Sequence, residues 1–149
     1  MSARIESLDQ SVRWHVYDMT MRSGSPPHSR EVAAVTGVAA TAILESFRRL
    51  GDAHILVLQG DGEILMANPF SAVPTPFHVR IGALSAYGNC IWDALGIAAM
   101  LHEDARISAS CADCGSATEI TVADGKVEGE GLIHFAVPAR EWWKDIVFT

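Results

Sequence analysis

The sequence has no apolar run near the roughly 20 residues that cross a bilayer as a helix, and no membrane span is expected. Its start, "MSARIESLDQSVRWH", lacks the basic-then-apolar order of a signal peptide, so the expected location is cytoplasmic. It has no Lys/Arg run, and its net charge is −7. Both features speak against holding nucleic acid by phosphate neutralisation and favour a small neutral or cationic partner. Three cysteines, an odd number, make no disulfide framework. In a reducing compartment such residues serve as buried thiols, metal ligands or nucleophiles. Internal repeats and low-complexity segments are absent too.

What is present is a chain of 149 residues, 49% hydrophobic, enough to bury a real core in one domain or two small subdomains. Leu8, Val12, Val16 and Met19 recur at helical spacing and predict a first helix ending at Gly24. Ser29 is a candidate N-cap for a short second helix stopped by Gly37. A third helix carries Ile43, Leu44, Phe47 and Leu50 on one stripe, with Gly51 as its stop. "HILVLQGDGEILMAN" then reads as a β-hairpin around Gly-Asp-Gly.

Helix, helix, helix and a two-stranded wing is the order of a winged helix-turn-helix, a unit often used on DNA. Residues 1–66, however, hold six Arg against eight Asp/Glu, and the third helix offers only Arg48 and Arg49 beside Glu45. DNA binding is therefore not expected, and the unit is read as a packing scaffold. "NPFSAVPTPF", with three prolines, marks the junction to the second half. There "HVRIGAL" suggests a strand, "NCIWDALGIAAMLH" a helix, and residues 105–138 several strands with Gly-containing turns. "AREWWKDIVFT" is expected to form a helical turn leading into a further strand. The expected class is α+β, with a winged helix-turn-helix-like subdomain (1–67), a Pro-rich linker (68–76) and a mixed α/β subdomain with antiparallel sheet (77–149).

Two groups of residues can carry chemistry. With Asn89 as N-cap, Cys90 falls at the first helical position and Asp93 one turn later on the same face. A thiol at a helix N-terminus meets unpaired N–H groups that favour the thiolate. Asp93 stands among Trp92, Ala94 and Leu95, where low polarity disfavours its charged form and suits it to donate a proton. The bland alternatives are a buried thiol and a surface or capping carboxylate. In "SCADCGS", Cys111 and Cys114 form a C-x-x-C, half of a zinc site, with no second C-x-x-C to complete it. Nothing in the spacing of His102 or His134 recommends either as a ligand, so ordinary thiols are the default. His28, His54 and His78 have no partner pattern. Trp142 and Trp143 read as an anchor of the chain end on the core.

"YGNCIWDALGIAAML", "ISASCADCG", "ITVADGKV" and "IHFAVPAREWWKDIVFT", together with the helix-turn-helix before them, resemble the alkylmercury lyase (organomercurial lyase) family over nearly the whole chain. The resemblance implies cleavage of carbon–mercury bonds in an organomercurial substrate, with Cys90 as the mercury-binding thiolate and Asp93 as the acid that protonates the carbon. It implies no required cofactor. The products are a hydrocarbon and Hg(II), passed to a small-molecule thiol or to a mercuric reductase. In that family a second catalytic cysteine follows the block that here reads "WWKDIVFT", and none stands at that place in this sequence. Three alternatives follow: a natural protein longer than this sequence, Cys111 or Cys114 as the second mercury-binding thiolate, or a relative that binds mercury or another soft metal without cleaving the bond. A related Cys/Asp enzyme acting on another substrate is a further alternative. Cys111 matches a family position that is not the catalytic partner, and Cys114 is a local difference.

Overall fold

The computed structural model describes residues 2–147, with side chains from Glu6 onward. The protein is α+β. Three helices come first, α1 (Ser2–Ser23), α2 (Ser29–Thr36) and α3 (Ala40–Asp52), followed by strands β1 (Val57–Leu58), β2 (Ile64–Ala67) and β3 (Phe70–Ser71). These strands form an antiparallel sheet in the order β1-β2-β3. Strands β4 (His78–Ile81) and β5 (Leu84–Tyr87), helix α4 (Ile91–Leu101), and strands β6 (Ala105–Ser110), β7 (Ala117–Ala123) and β8 (Lys126–Glu128) follow. They make an antiparallel five-stranded sheet ordered β5-β4-β6-β7-β8, and a 3-10 helix spans Ala139–Lys144. Among the described residues no helix is long and apolar enough to cross a membrane.

The helical stripes read from the sequence build the first core: Val12 and Val16 of α1 meet Val32, Ile43, Phe47 and Leu50, all buried. Two helix ends differ from expectation. The N-cap of α2 is His28, not Ser29, because the Glu31 carboxylate reaches back to accept the His28 N–H at 2.7 Å. The Ser29 N–H and hydroxyl are instead taken by Glu63, at 2.8 and 2.6 Å. Helix α3 runs through Gly51 to Asp52, because Gly51 does not take the left-handed conformation that ends a helix at glycine, and the Ala53 N–H still reaches the Arg49 carbonyl at 3.0 Å. Gly37 does stop α2, with φ +70° and its N–H on the Ala33 carbonyl.

The Pro-rich stretch carries an unexpected strand, β3. Phe70 and Ser71 pair with Ala67 and Met66 of β2, and the Phe70 ring is wholly buried in the second core with Val79, Ala94, Ile97 and Ile107. Residue 70 also bridges to Gly88, so the two sheets meet just before α4. Gly24 supplies another junction: at φ +81° a Cβ there would lie 2.1 Å from the Ser85 carbonyl oxygen of β5. The expected strand "HVRIGAL" is a hairpin, β4–β5, that turns at Gly82 with φ +56°. At the chain end the helical turn is present as the 3-10 helix. Residues 145–147 are not strand, and the rest of the expected final strand, Phe148 and Thr149, lies outside the described residues.

Candidate active site

Helix α4 begins where the chain leaves β5, and its start is set by close packing. The Gly88 N–H donates to the Phe77 carbonyl at 2.9 Å, and its carbonyl accepts from the Thr75 hydroxyl at 2.6 Å. A Cβ on Gly88 would stand 2.6 Å from the Ala94 nitrogen and 3.0 Å from the Cys90 oxygen, so only glycine lets the loop lie against the first turn.

The N-cap of α4 is Cys90, one residue later than expected. Its backbone is extended (φ −144°, ψ −179°), and its carbonyl accepts the Ala94 N–H at 2.9 Å. Asn89 is not the cap: its side-chain nitrogen donates at 3.0 Å to Asp93 Oδ2 and at 3.0 Å to Asn68 Oδ1, which turns the amide toward those two side chains. Asp93 thus falls at the third helical position, where its carboxylate folds back over the helix start. There it accepts from the Asn89 side chain and stands close enough to Cys90 for each group to shift the other's titration. Asn89 Oδ1 is buried with no hydrogen-bond partner among the described residues. The Asn68 carbonyl accepts from the Tyr17 hydroxyl at 3.1 Å, which ties α1 into the same network.

Both groups are half-buried, and both titrate away from their ordinary values. Burial raises Asp93, outweighing the hydrogen bonds from Asn89 and Cys90 that pull it down. This matches the low-polarity setting read from the sequence. Cys90 runs against the sequence argument: burial pushes its thiol up, the Asp93 charge adds to that, and the N–H groups of Asp93 and Trp92 only partly offset it. Free Cys90 is therefore held as the thiol, beside a first-turn carboxylate that can accept its proton.

The raised Asp93 carboxyl has a consequence for stability. The folded chain holds that proton more tightly than the unfolded chain does. The contribution is therefore fully present below the ordinary value of 3.8 and is lost as pH rises through the folded-state pKa. Asp93→Asn keeps the shape and removes the charge. It is expected to raise the melting temperature by a few degrees at about pH 8 and to leave it unchanged at about pH 3.5. Thermal unfolding at the two pH values checks this, and an equal shift at both would contradict burial as the cause.

The structure brings Cys90 and Asp93 together and places the other candidates elsewhere. Cys111 and Cys114 are exposed on the β6–β7 turn and interact with each other. His102 caps the C-terminus of α4, and His134 is exposed. Among the described residues no group of three or more His, Cys, Asp or Glu side chains is arranged to hold a metal ion. His78 bonds Ser85 at 2.8 Å, and His28 lies 3.7 Å from Glu63. Trp143 stacks on His54 with ring centroids 4.2 Å apart, while Trp142 packs on Phe135, whose edge meets Trp92. The two tryptophans thus fasten the last segment to α3's end and to the head of α4. Sequence reasoning missed Asn68 and Tyr17 in the Asp93 network and gave Asn89 the wrong task.

Comparison with known proteins bears on the same helix. A family model described as alkylmercury lyase matches residues 70–149, more than half of the chain and all of α4. A solved structure, the crystal structure of the mercury-bound form of MerB2, aligns with a TM-score of 0.58 and 24% identity. That alignment covers 74% of this chain and 53% of that one, so the likeness is one of fold and this chain spans about half the length of that protein. No curated protein matches. With a model of the family covering the sheet, the helix and the Cys90–Asp93 pair, the chain belongs to the alkylmercury lyase family.

Proposed function

We propose that this chain is an organomercurial lyase-like protein that protonolyses a carbon–mercury bond at the head of α4. The observation that carries the reading is the Cys90 thiol at the N-cap of α4 with the first-turn Asp93 carboxyl, which Asn89 holds back toward the helix start and which burial keeps above its ordinary range. As the sulfur takes the mercury of R–Hg–X, its proton passes to Asp93 and X⁻ leaves. Asp93 then returns that proton to the carbon as the carbon–mercury bond breaks, giving R–H, with Hg(II) left on Cys90 and the carboxylate restored. A second thiolate raises electron density on the carbon and draws mercury off. Small-molecule thiols are the proposed acceptors, with a mercuric reductase beyond them, and no resident cofactor is required.

The N-terminal half is proposed to be a winged-helix-like scaffold that does not engage DNA. One of the two Arg side chains that a recognition helix would present is occupied within the fold. Arg49 donates to Asp9 at 2.8 and 2.7 Å, and Ser46 donates to the same carboxylate at 2.6 Å, which pins α3 to α1. Tyr17 gives the scaffold a link to the site through the Asn68 carbonyl.

The test is headspace detection of benzene released from phenylmercury in excess small thiol. Cys90→Ser is expected to bring release to the level of buffer with thiol alone. Unchanged turnover in that variant would end the lyase reading of this helix.

A further inference from the structure

The C-x-x-C has no part in the proposed reaction, and its geometry is specific. The turn between β6 and β7 is closed by two backbone hydrogen bonds, Cys111 N–H to the Ser116 carbonyl and Gly115 N–H to the Cys111 carbonyl, each 2.9 Å. Gly115 takes φ +71°, a conformation that favours glycine and lets the chain double back after Cys114. The backbone bonds close this turn and leave both sulfurs at the surface, three residues apart. Cys114 Sγ also lies 3.1 Å from the Ser116 hydroxyl. That hydroxyl first, then the Ser116 N–H and the Cys111 thiol, draws the Cys114 thiol below its ordinary value. Cys114 is therefore poised to bind as thiolate.

Among the described residues no third His, Cys, Asp or Glu joins these two sulfurs. Structural zinc, which wants four ligands, is poorly served by such a pair. Two adjacent thiolates suit a soft ion that is content with two sulfurs. We infer that Cys111 and Cys114 form a second soft-metal site, separate from Cys90, which takes one two-coordinate thiophilic ion of the Hg(II) type. Two sulfur–metal bonds form, the two thiol protons go to solvent, and no oxidation state changes. The inference does not depend on the lyase reading, because the site uses neither Cys90 nor Asp93.

The full chain carrying Cys90→Ser isolates the turn. With one equivalent of Hg(II) and excess glutathione, this chain is expected to retain one mercury by native mass spectrometry, with sulfur-to-mercury absorption in the ultraviolet. Adding Cys111→Ser or Cys114→Ser removes the tethered second ligand and is expected to weaken retention on the order of 100-fold. Bound Hg(II) should also protect both thiols of the Cys90→Ser chain from iodoacetamide together, a measurement that needs no change in the turn. Loss of mercury to glutathione from the Cys90→Ser chain, equal retention after either serine change, or protection of one thiol alone would overturn the site. Tight retention of Zn(II) in place of Hg(II) would overturn its two-coordinate character.

Discussion

Asp93→Ala is expected to move two readouts of the same site in opposite directions. Benzene release from phenylmercury should fall by about 10²–10⁴, the usual contribution of a positioned general acid. Alkylation of Cys90 by iodoacetamide near neutral pH should become several-fold faster. Both follow from one contact. Burial raises the Cys90 thiol and the Asp93 charge adds to it, so removing the carboxylate lets the N–H groups of the first turn favour the thiolate more. The same removal takes away the group that returns a proton to carbon. A misfolded variant would also uncover Cys90, so the faster alkylation counts only where thermal unfolding shows Asp93→Ala folded, and mass mapping of the alkylated cysteine separates Cys90 from the exposed Cys111 and Cys114. Slower or unchanged alkylation would mean that Asp93 does not hold Cys90 as a thiol.

The pairing of these residues was legible because it is local. Three residues apart at a helix start, a thiol and a carboxyl face the same point whichever of residues 89 and 90 is the cap. The net direction of the Cys90 shift was not legible. It depends on how deeply the first turn is buried, and that is decided by strands far away in sequence. The same limit hid Asn68, which stands 21 residues before Asn89 and reaches it only because β3 turns the Pro-rich stretch back toward Gly88. Three prolines in ten residues signal a loop, and that composition masked Phe70, whose full burial makes the stretch part of the second core. The helical stripes of α1 and α3 were readable because 3.6-residue periodicity reports burial directly. The helix ends were less so, since Glu63 claims Ser29 from 34 residues away.

Gly88→Val is expected to be the most damaging single change near the site that touches neither reacting group. The cause is contact with backbone. A Cβ would come within 2.6 Å of the Ala94 nitrogen and 2.9 Å of its Cα, and neither atom belongs to a flexible side chain that can swing away. Overpacking of this kind costs about 1–3 kcal/mol, and a β-branched side chain against a helix backbone belongs at the upper end. The helix can relieve the clash only by shifting its first turn, which carries both Cys90 and Asp93. Gly88→Ala should show the effect in graded form, with chemical denaturation reading the loss of stability and Cys90 alkylation reading the displaced turn. In both variants the alkylation rate should depart from that of the parent chain while Cys111 and Cys114 react as before, since their turn lies beyond β6 and is closed by its own hydrogen bonds. A Gly88→Val chain with parental stability and parental Cys90 reactivity would show that the start of α4 is not fixed by the approach of residue 88, and the account of how this fold places its thiol beside its carboxyl would have to be rebuilt from the Asn68–Asn89 contact instead.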